Sequence, residues 1–272
     1  MAPGSPIDRS VAARVSDLVA AHYPEGAVHI AFHPQCFLTS GHFAGPDEVR
    51  VQACLDIAND DRFDAVWFAR GGYGACRIAE AVLAGMEAPA RRKRYLGYSD
   101  AGVLLAALYG RSFGIVAHGP MPGDVARIGG DAAIRRALAW LTEGDPATLE
   151  PGISGHVHTA AFNMATLCHM LGTALQPDLS GHVLLLEEVA EPLYRIDRML
   201  FHITGNLGIR RCAGIRLGRC SDIPANTPDF CESTEDMAQF WCRRSGIPYL
   251  GRADIGHDIH NKIVPFGRPV AR

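Results

Sequence analysis

The sequence predicts an α/β fold built on a parallel sheet covered by helices on both faces, in a chain long enough for two domains. Three observations carry that prediction. Short apolar stretches of strand length alternate with longer stretches of helical periodicity along the first half, the rhythm that strand–helix–strand crossovers impose. At 272 residues, with 48% hydrophobic and 20% charged residues, the chain can bury a substantial core and exceeds the size of one small domain. A stretch poor in large apolar residues then divides it at 144–155, where Gly144, Pro146, Pro151, Gly152 and Gly155 cluster.

Each element follows from its local pattern. In 8–22, Val11, Val15, Leu18 and Val19 recur at helical spacing, and Pro24 with Gly26 ends the helix. Val28, Ile30 and Phe32 alternate with smaller or polar residues, as in a strand. Residues 46–58 read as a helix opened by Pro46. A buried strand at 65–68, a helix at 76–83, a strand at 95–97, a helix at 101–109, a strand at 113–117 and a helix at 132–141 complete domain 1–143. Beyond the linker, domain 156–272 reads as a helix at 162–171, a strand at 182–189, a helix at 194–204, a strand at 213–217, a helix at 235–244 and a loop-rich tail.

Composition excludes several function classes. Twenty-six Lys and Arg against 29 Asp and Glu leave a formal charge of −3, too balanced for a broad nucleic-acid or anionic-membrane footprint. The short basic run Arg91, Arg92, Lys93 and Arg94 reads as a solvated loop. No apolar run has membrane-spanning length, and no basic segment followed by an apolar signal core opens the chain. The expectation is a soluble cytosolic protein. Eight cysteines, none in a C-x-x-C pair and most in apolar segments, read as reduced core thiols.

Four places could carry chemistry. In Gly97-Tyr98-Ser99-Asp100-Ala101 a short strand runs into an apolar helix with a serine at the junction. Such a turn lifts a hydroxyl above the sheet and points helix N-terminal N–H groups at a developing oxyanion; the alternative is that Ser99 or Asp100 only caps the helix. Arg70-Gly71-Gly72-Tyr73-Gly74 follows a strand and precedes a helix, which puts it on the same sheet edge, where α/β proteins gather ligands. Its spacing fits neither a Walker loop nor G-x-G-x-x-G. Close backbone approach to a reacting group or a plain tight turn both remain open there. Glu187 and Glu188 end an apolar strand, so only one of them can face a shared site, and both could equally meet solvent. Among twelve histidines, His156 with His158 and His257 with His260 stand out. Neither pair comes with a completing ligand set for a metal, whereas a histidine on a C-terminal loop suits a general base.

Taken together, Ala69-Arg70-Gly71-Gly72-Tyr73-Gly74, Gly97-Tyr98-Ser99-Asp100, Leu186-Glu187-Glu188-Val189, Tyr194-Arg195-Ile196-Asp197-Arg198-Met199-Leu200 and Gly256-His257 resemble the LD-carboxypeptidase family of serine peptidases over nearly the whole chain. Leu171-Gly172-Thr173 and Gln176-Pro177-Asp178-Leu179 add a further family-like stretch. The resemblance implies a Rossmann-like parallel-sheet N-terminal domain and a smaller, β-rich α+β C-terminal domain, with the active site between them. It implies Ser99 as nucleophile, His257 as general base and Glu187 as the residue that fixes the imidazole. Backbone N–H groups of Asp100, Gly71 and Gly72 would form the oxyanion hole. The implied reaction is hydrolysis of an L,D peptide bond through an acyl-enzyme, releasing a terminal D-amino acid from a murein tetrapeptide during peptidoglycan recycling. No metal or organic cofactor is implied. The implied partners are a small muropeptide substrate and a second copy of the chain in a homodimer, with no nucleic acid and no membrane.

This sequence departs from the family pattern in two places. Family chains open with an apolar strand before an Ala-Pro-Ser-like turn, whereas this one opens at Met1-Ala2-Pro3-Gly4-Ser5-Pro6. A mis-assigned start, leaving one sheet position unfilled, is the corresponding expectation. The family's Gly-Gly-Asn segment is here Ala161-Phe162-Asn163, which changes the pocket's shape. Two rival readings stand beside the carboxypeptidase. One is a microcin-immunity type serine peptidase acting on peptidyl-nucleotide toxins, for which Trp241 is a candidate adenine stacker. The other is a non-catalytic peptide- or sugar-binding module on the same fold.

Overall fold

The computed structural model describes residues 1–153 and 155–268. Helix α1 spans Arg9–His22, α2 Asp47–Ala58, α3 Ala75–Gly85, α4 Gly102–Gly110 and α5 Gly130–Glu143. Strands β1 (Ala65–Trp67), β2 (Arg94–Gly97) and β3 (Ile115–His118) alternate with them and pair in parallel, in the order β1-β2-β3. The α/β expectation holds. Helix α4 is apolar all round, with Val103 to Leu108 buried, because it lies between this sheet and the second half of the molecule.

That second half has its own four-stranded sheet, formed by β4 (His158–Asn163), β5 (His182–Val189), β6 (Gly214–Ser221) and β7 (Tyr249–Arg252). All three pairings are parallel. The intervening helices are α6 (Met164–Met170), α7 (Leu193–Gly205) and α8 (Thr234–Ser245). After β7 the chain returns to the first sheet, where β8 (Val264–Pro265) pairs antiparallel with β3. One continuous core joins the halves: Leu104 and Leu108 of α4 and Phe162, Leu184 and Leu186 of the second sheet belong to the same buried cluster.

Three local readings need correction. Residues 28–32 form no strand and pair with none among the described residues. They line a cavity of about 780 Å³ whose other walls include Met1, Ala65 and Trp67. Strand β4 was not foreseen. Its sequence, His-Thr-Ala-Ala-Phe-Asn, lacks the β-branched alternation that marks a strand, and the predicted helix ran into its last residues. The tail, read as loop, contributes β7 and β8.

The basic run is spent on structure. Arg92 pairs with Asp61, the Arg94 guanidinium donates to the Leu141 carbonyl at 3.0 Å, and Lys93 is buried and donates to the Asp60 carbonyl at 2.7 Å. Trp241 donates to Asp197 at 2.7 Å and packs edge-on against Phe201 and Phe240; it holds α7 to α8. All eight cysteines are free, but Cys76 and Cys231 are exposed rather than part of the core. No helix among the described residues is long and apolar enough to cross a membrane.

Candidate active site

The first sheet places three loops along one edge. The glycine-rich turn follows β1, Ser99 follows β2, and a single helical turn at Pro122–Ala126 follows β3. These are the carboxyl ends of parallel strands, where α/β sheets bind ligands. Ser99 has a φ of +60°, a left-handed conformation that is uncommon for a non-glycine residue and is typical of strain held at functional turns. The strand-to-helix junction therefore bends sharply at the serine itself.

The glycine turn lies directly against it. A methyl group added at Gly71 would stand 2.9 Å from both Cβ and Oγ of Ser99, so only glycine permits this approach. The Ser5 N–H donates to the Gly71 carbonyl at 3.1 Å. Because the peptide unit is planar and trans, that bond turns the Gly72 N–H to the opposite side. The Asp100 carboxylate accepts the Ala75 N–H at 2.7 Å and so caps α3. Burial raises its pKa, against the lowering effect of its backbone hydrogen bonds. Its own N–H opens a helical turn, where backbone donors lack an intrahelical partner.

The second sheet supplies an acid and a base. Strand alternation sends the two neighbouring glutamates apart. Glu188 accepts from Asn163 Nδ2 at 2.6 Å and from the Ala165 N–H at 2.8 Å, which spends it on the start of α6. Glu187 is fully buried, and its Oε2 accepts from His257 Nδ1 at 2.5 Å. Burial pulls the His257 pKa down, but the adjacent Glu187 charge and hydrogen bond outweigh it and hold the imidazole above its ordinary value. With Nδ1 committed to the carboxylate, Nε2 is the nitrogen available for proton transfer.

Ser99, His257, Gly71 and Gly72 line one chamber of about 350 Å³ together with Tyr98, Asp124 and Arg127. Ser99 Oγ and His257 are not hydrogen-bonded to each other among the described residues, a looseness common in serine–histidine pairs before substrate binds. The histidine pair 156 and 158 lies elsewhere: His158 packs edge-on against His182. No group of three His, Cys, Asp or Glu among the described residues is arranged to hold a metal ion.

Sequence reasoning missed the residues that steady this chamber. Arg219 bonds Asp254 at 2.5 Å and also grips Asp258, which clamps the loop carrying His257 to β6. Asn261 Oδ1 accepts the Gly256 N–H and meets His118 Nε2, both at 3.2 Å. The Tyr98 hydroxyl donates to Asp124 at 2.8 Å, and the Tyr98 ring lies 4.9 Å from that of His257. Apart from Tyr98, which lies in the serine motif, none of these residues forms a local motif.

The comparisons with known proteins agree with this architecture. The LD-carboxypeptidase N-terminal domain model matches residues 1–119 and the C-terminal domain model matches residues 158–271. A putative carboxypeptidase of Synechocystis is 33% identical over 234 residues, covering 84% of this chain and 75% of the relative. The chain belongs to the LD-carboxypeptidase family. The murein tetrapeptide carboxypeptidase of Pseudomonas aeruginosa is 26% identical over 84% of this chain and 78% of its own length. The crystal structure of muramoyltetrapeptide carboxypeptidase from Oxalobacter formigenes superposes with a TM-score of 0.77 at 25% identity, covering 98% of this chain and 92% of that one. This LD-carboxypeptidase homologue is thus a peptidase by family, with the two-domain α/β fold of its structural relatives.

Proposed function

We propose that this LD-carboxypeptidase homologue is a serine carboxypeptidase that releases a terminal D-amino acid from a murein tetrapeptide. The observation that carries the reading is the 2.5 Å bond between buried Glu187 and His257 in a chamber shared with a strained serine. Ser99 Oγ attacks the scissile carbonyl while His257 Nε2 takes its proton. Glu187 keeps the Nδ1 proton in place and stabilises the imidazolium. The oxyanion is met by the N–H groups of Asp100 and of the Gly71-Gly72 turn. The C–N bond then breaks, His257 protonates the departing amine, and water hydrolyses the ester by the same route in reverse. General acid/base transfer supplies roughly 10² to 10⁴-fold and one oxyanion donor roughly 10² to 10³-fold, so the serine needs both. The names of two similar proteins, a murein tetrapeptide carboxypeptidase and a muramoyltetrapeptide carboxypeptidase, support the substrate class.

The reading extends to a cytoplasmic homodimer acting in peptidoglycan recycling. Phe201 and Phe240 are about half exposed on α7 and α8, an apolar surface of the kind that subunit contacts use. Incubation with murein tetrapeptide should release free D-alanine, and a fluorophosphonate probe should label wild type but not Ser99→Ala. A wild type that labels no better than Ser99→Ala, with no D-alanine released, refutes the proposal. Size-exclusion chromatography with light scattering tests the dimer.

A further inference from the structure

A carboxypeptidase must distinguish a chain end from an internal peptide bond, and the distinguishing group is the free carboxylate of the leaving residue. That carboxylate is only a few bonds from the scissile carbonyl, so its receptor has to stand in the same chamber as the nucleophile. The chamber's two arginines are Arg70 and Arg127. Arg70 is an exposed side chain that donates to the Pro6 carbonyl at 3.1 Å. Arg127 is also exposed, with 46% of its side-chain surface accessible, but it is paired with a carboxylate of the chamber wall. Its Nε donates to Asp124 Oδ1 at 3.2 Å, and Asp124 is itself buried and fixed by the Tyr98 hydroxyl at 2.8 Å and the Met121 N–H at 2.9 Å. Tyr98 immediately precedes Ser99. The guanidinium is therefore referenced, through two side chains, to the strand end that positions the nucleophile.

We infer that Arg127 receives the α-carboxylate of the leaving amino acid and makes the enzyme specific for chain ends. This deepens the proposed function and rests on it. Asp124 occupies the Nε side of the guanidinium, and the two Nη atoms carry four further N–H donors, more than the neighbouring tyrosine hydroxyl can take. The edge between them matches the two oxygens of a carboxylate. Asp124 also balances the arginine's charge before substrate arrives, so the empty site does not hold an isolated cation. Lysine would supply the charge without the planar fork.

The test compares D-alanine release from murein tetrapeptide with D-alaninamide release from its C-terminal carboxamide. Wild type should prefer the acid. In Arg127→Gln that preference should fall roughly 10- to 100-fold, the scale of a lost charged hydrogen bond, mainly through a higher KM for the acid. Arg127→Lys should restore part of it. Fluorophosphonate labelling of Ser99 and an unchanged thermal midpoint show that the variant is folded. Equal losses on acid and amide, or a preference that survives Arg127→Gln and vanishes in Arg70→Gln, overturn the assignment while leaving the serine carboxypeptidase intact. Release of neither product by wild type overturns both.

Discussion

Replacing Gly71 with alanine tests how closely the glycine turn and Ser99, the proposed nucleophile, are fitted. The added methyl would sit 2.9 Å from Ser99 Cβ and Oγ, whereas carbon atoms pack comfortably at roughly 3.5–4.0 Å. Relief demands a displacement of about 0.6 Å or more, taken as the difference between those separations. Neither side yields cheaply. Ser99 already occupies a left-handed backbone conformation, and the Gly71 carbonyl is tied to the Ser5 N–H. Overpacking of this kind costs about 1–3 kcal/mol of stability, and moving a reacting group by about 1 Å costs about 10²-fold in rate. The expectation is a Gly71→Ala protein that folds with a lowered thermal midpoint and loses roughly 10²-fold in kcat/KM and in fluorophosphonate labelling rate. A variant retaining activity within about threefold of wild type, far less than such a displacement costs, would refute the argument that this turn and the serine hold each other in register.

Two further predictions follow from the buried histidines. With its pKa held up by Glu187, His257 must lose its proton to act as a base, so kcat/KM should fall on the acid side of a value above about 6.5, the ordinary pKa of histidine. Glu187→Gln should move that limb to lower pH and cut kcat by roughly 10⁴-fold; an acid limb that does not move removes Glu187 from this role. His118 is fully buried, and burial lowers its pKa from 6.5 to about 4. The unfolded chain takes up this proton below about 6.5 and the folded chain only near 4, so stability is complete above the higher value and falls as pH drops through the interval. The gap corresponds to about 3 kcal/mol. Urea titrations from pH 7 to pH 4 should show that loss in wild type and a smaller one in His118→Asn; parallel profiles would remove His118 as the source.

The strand-to-helix rhythm of the first half was legible because its elements are short and most are closed by a glycine or proline. The serine junction was legible for the same reason, since its geometry is set by a few consecutive residues. Glu187 and His257 were not recoverable that way. Seventy residues separate them, and only the order of family motifs pointed to the pair. Arg219, Asp258, Asn261 and Asp124 left no signal at all, because their partners lie on other elements and their hydrogen bonds exist only once the chain has packed. Alternation in residues 28–32 marks a segment that forms no strand, and alanine-rich β4 shows the reverse, a buried strand whose side chains carry no strand signature.

The distribution of the proposed reacting groups over the two halves of the molecule has a consequence for biosynthesis. Ser99 leaves the ribosome long before the loop that bears His257. On the proposed mechanism, a nascent or truncated polypeptide would carry a nucleophile without its base. Hydrolysis would begin only after the segment returning from the second sheet has closed against β3.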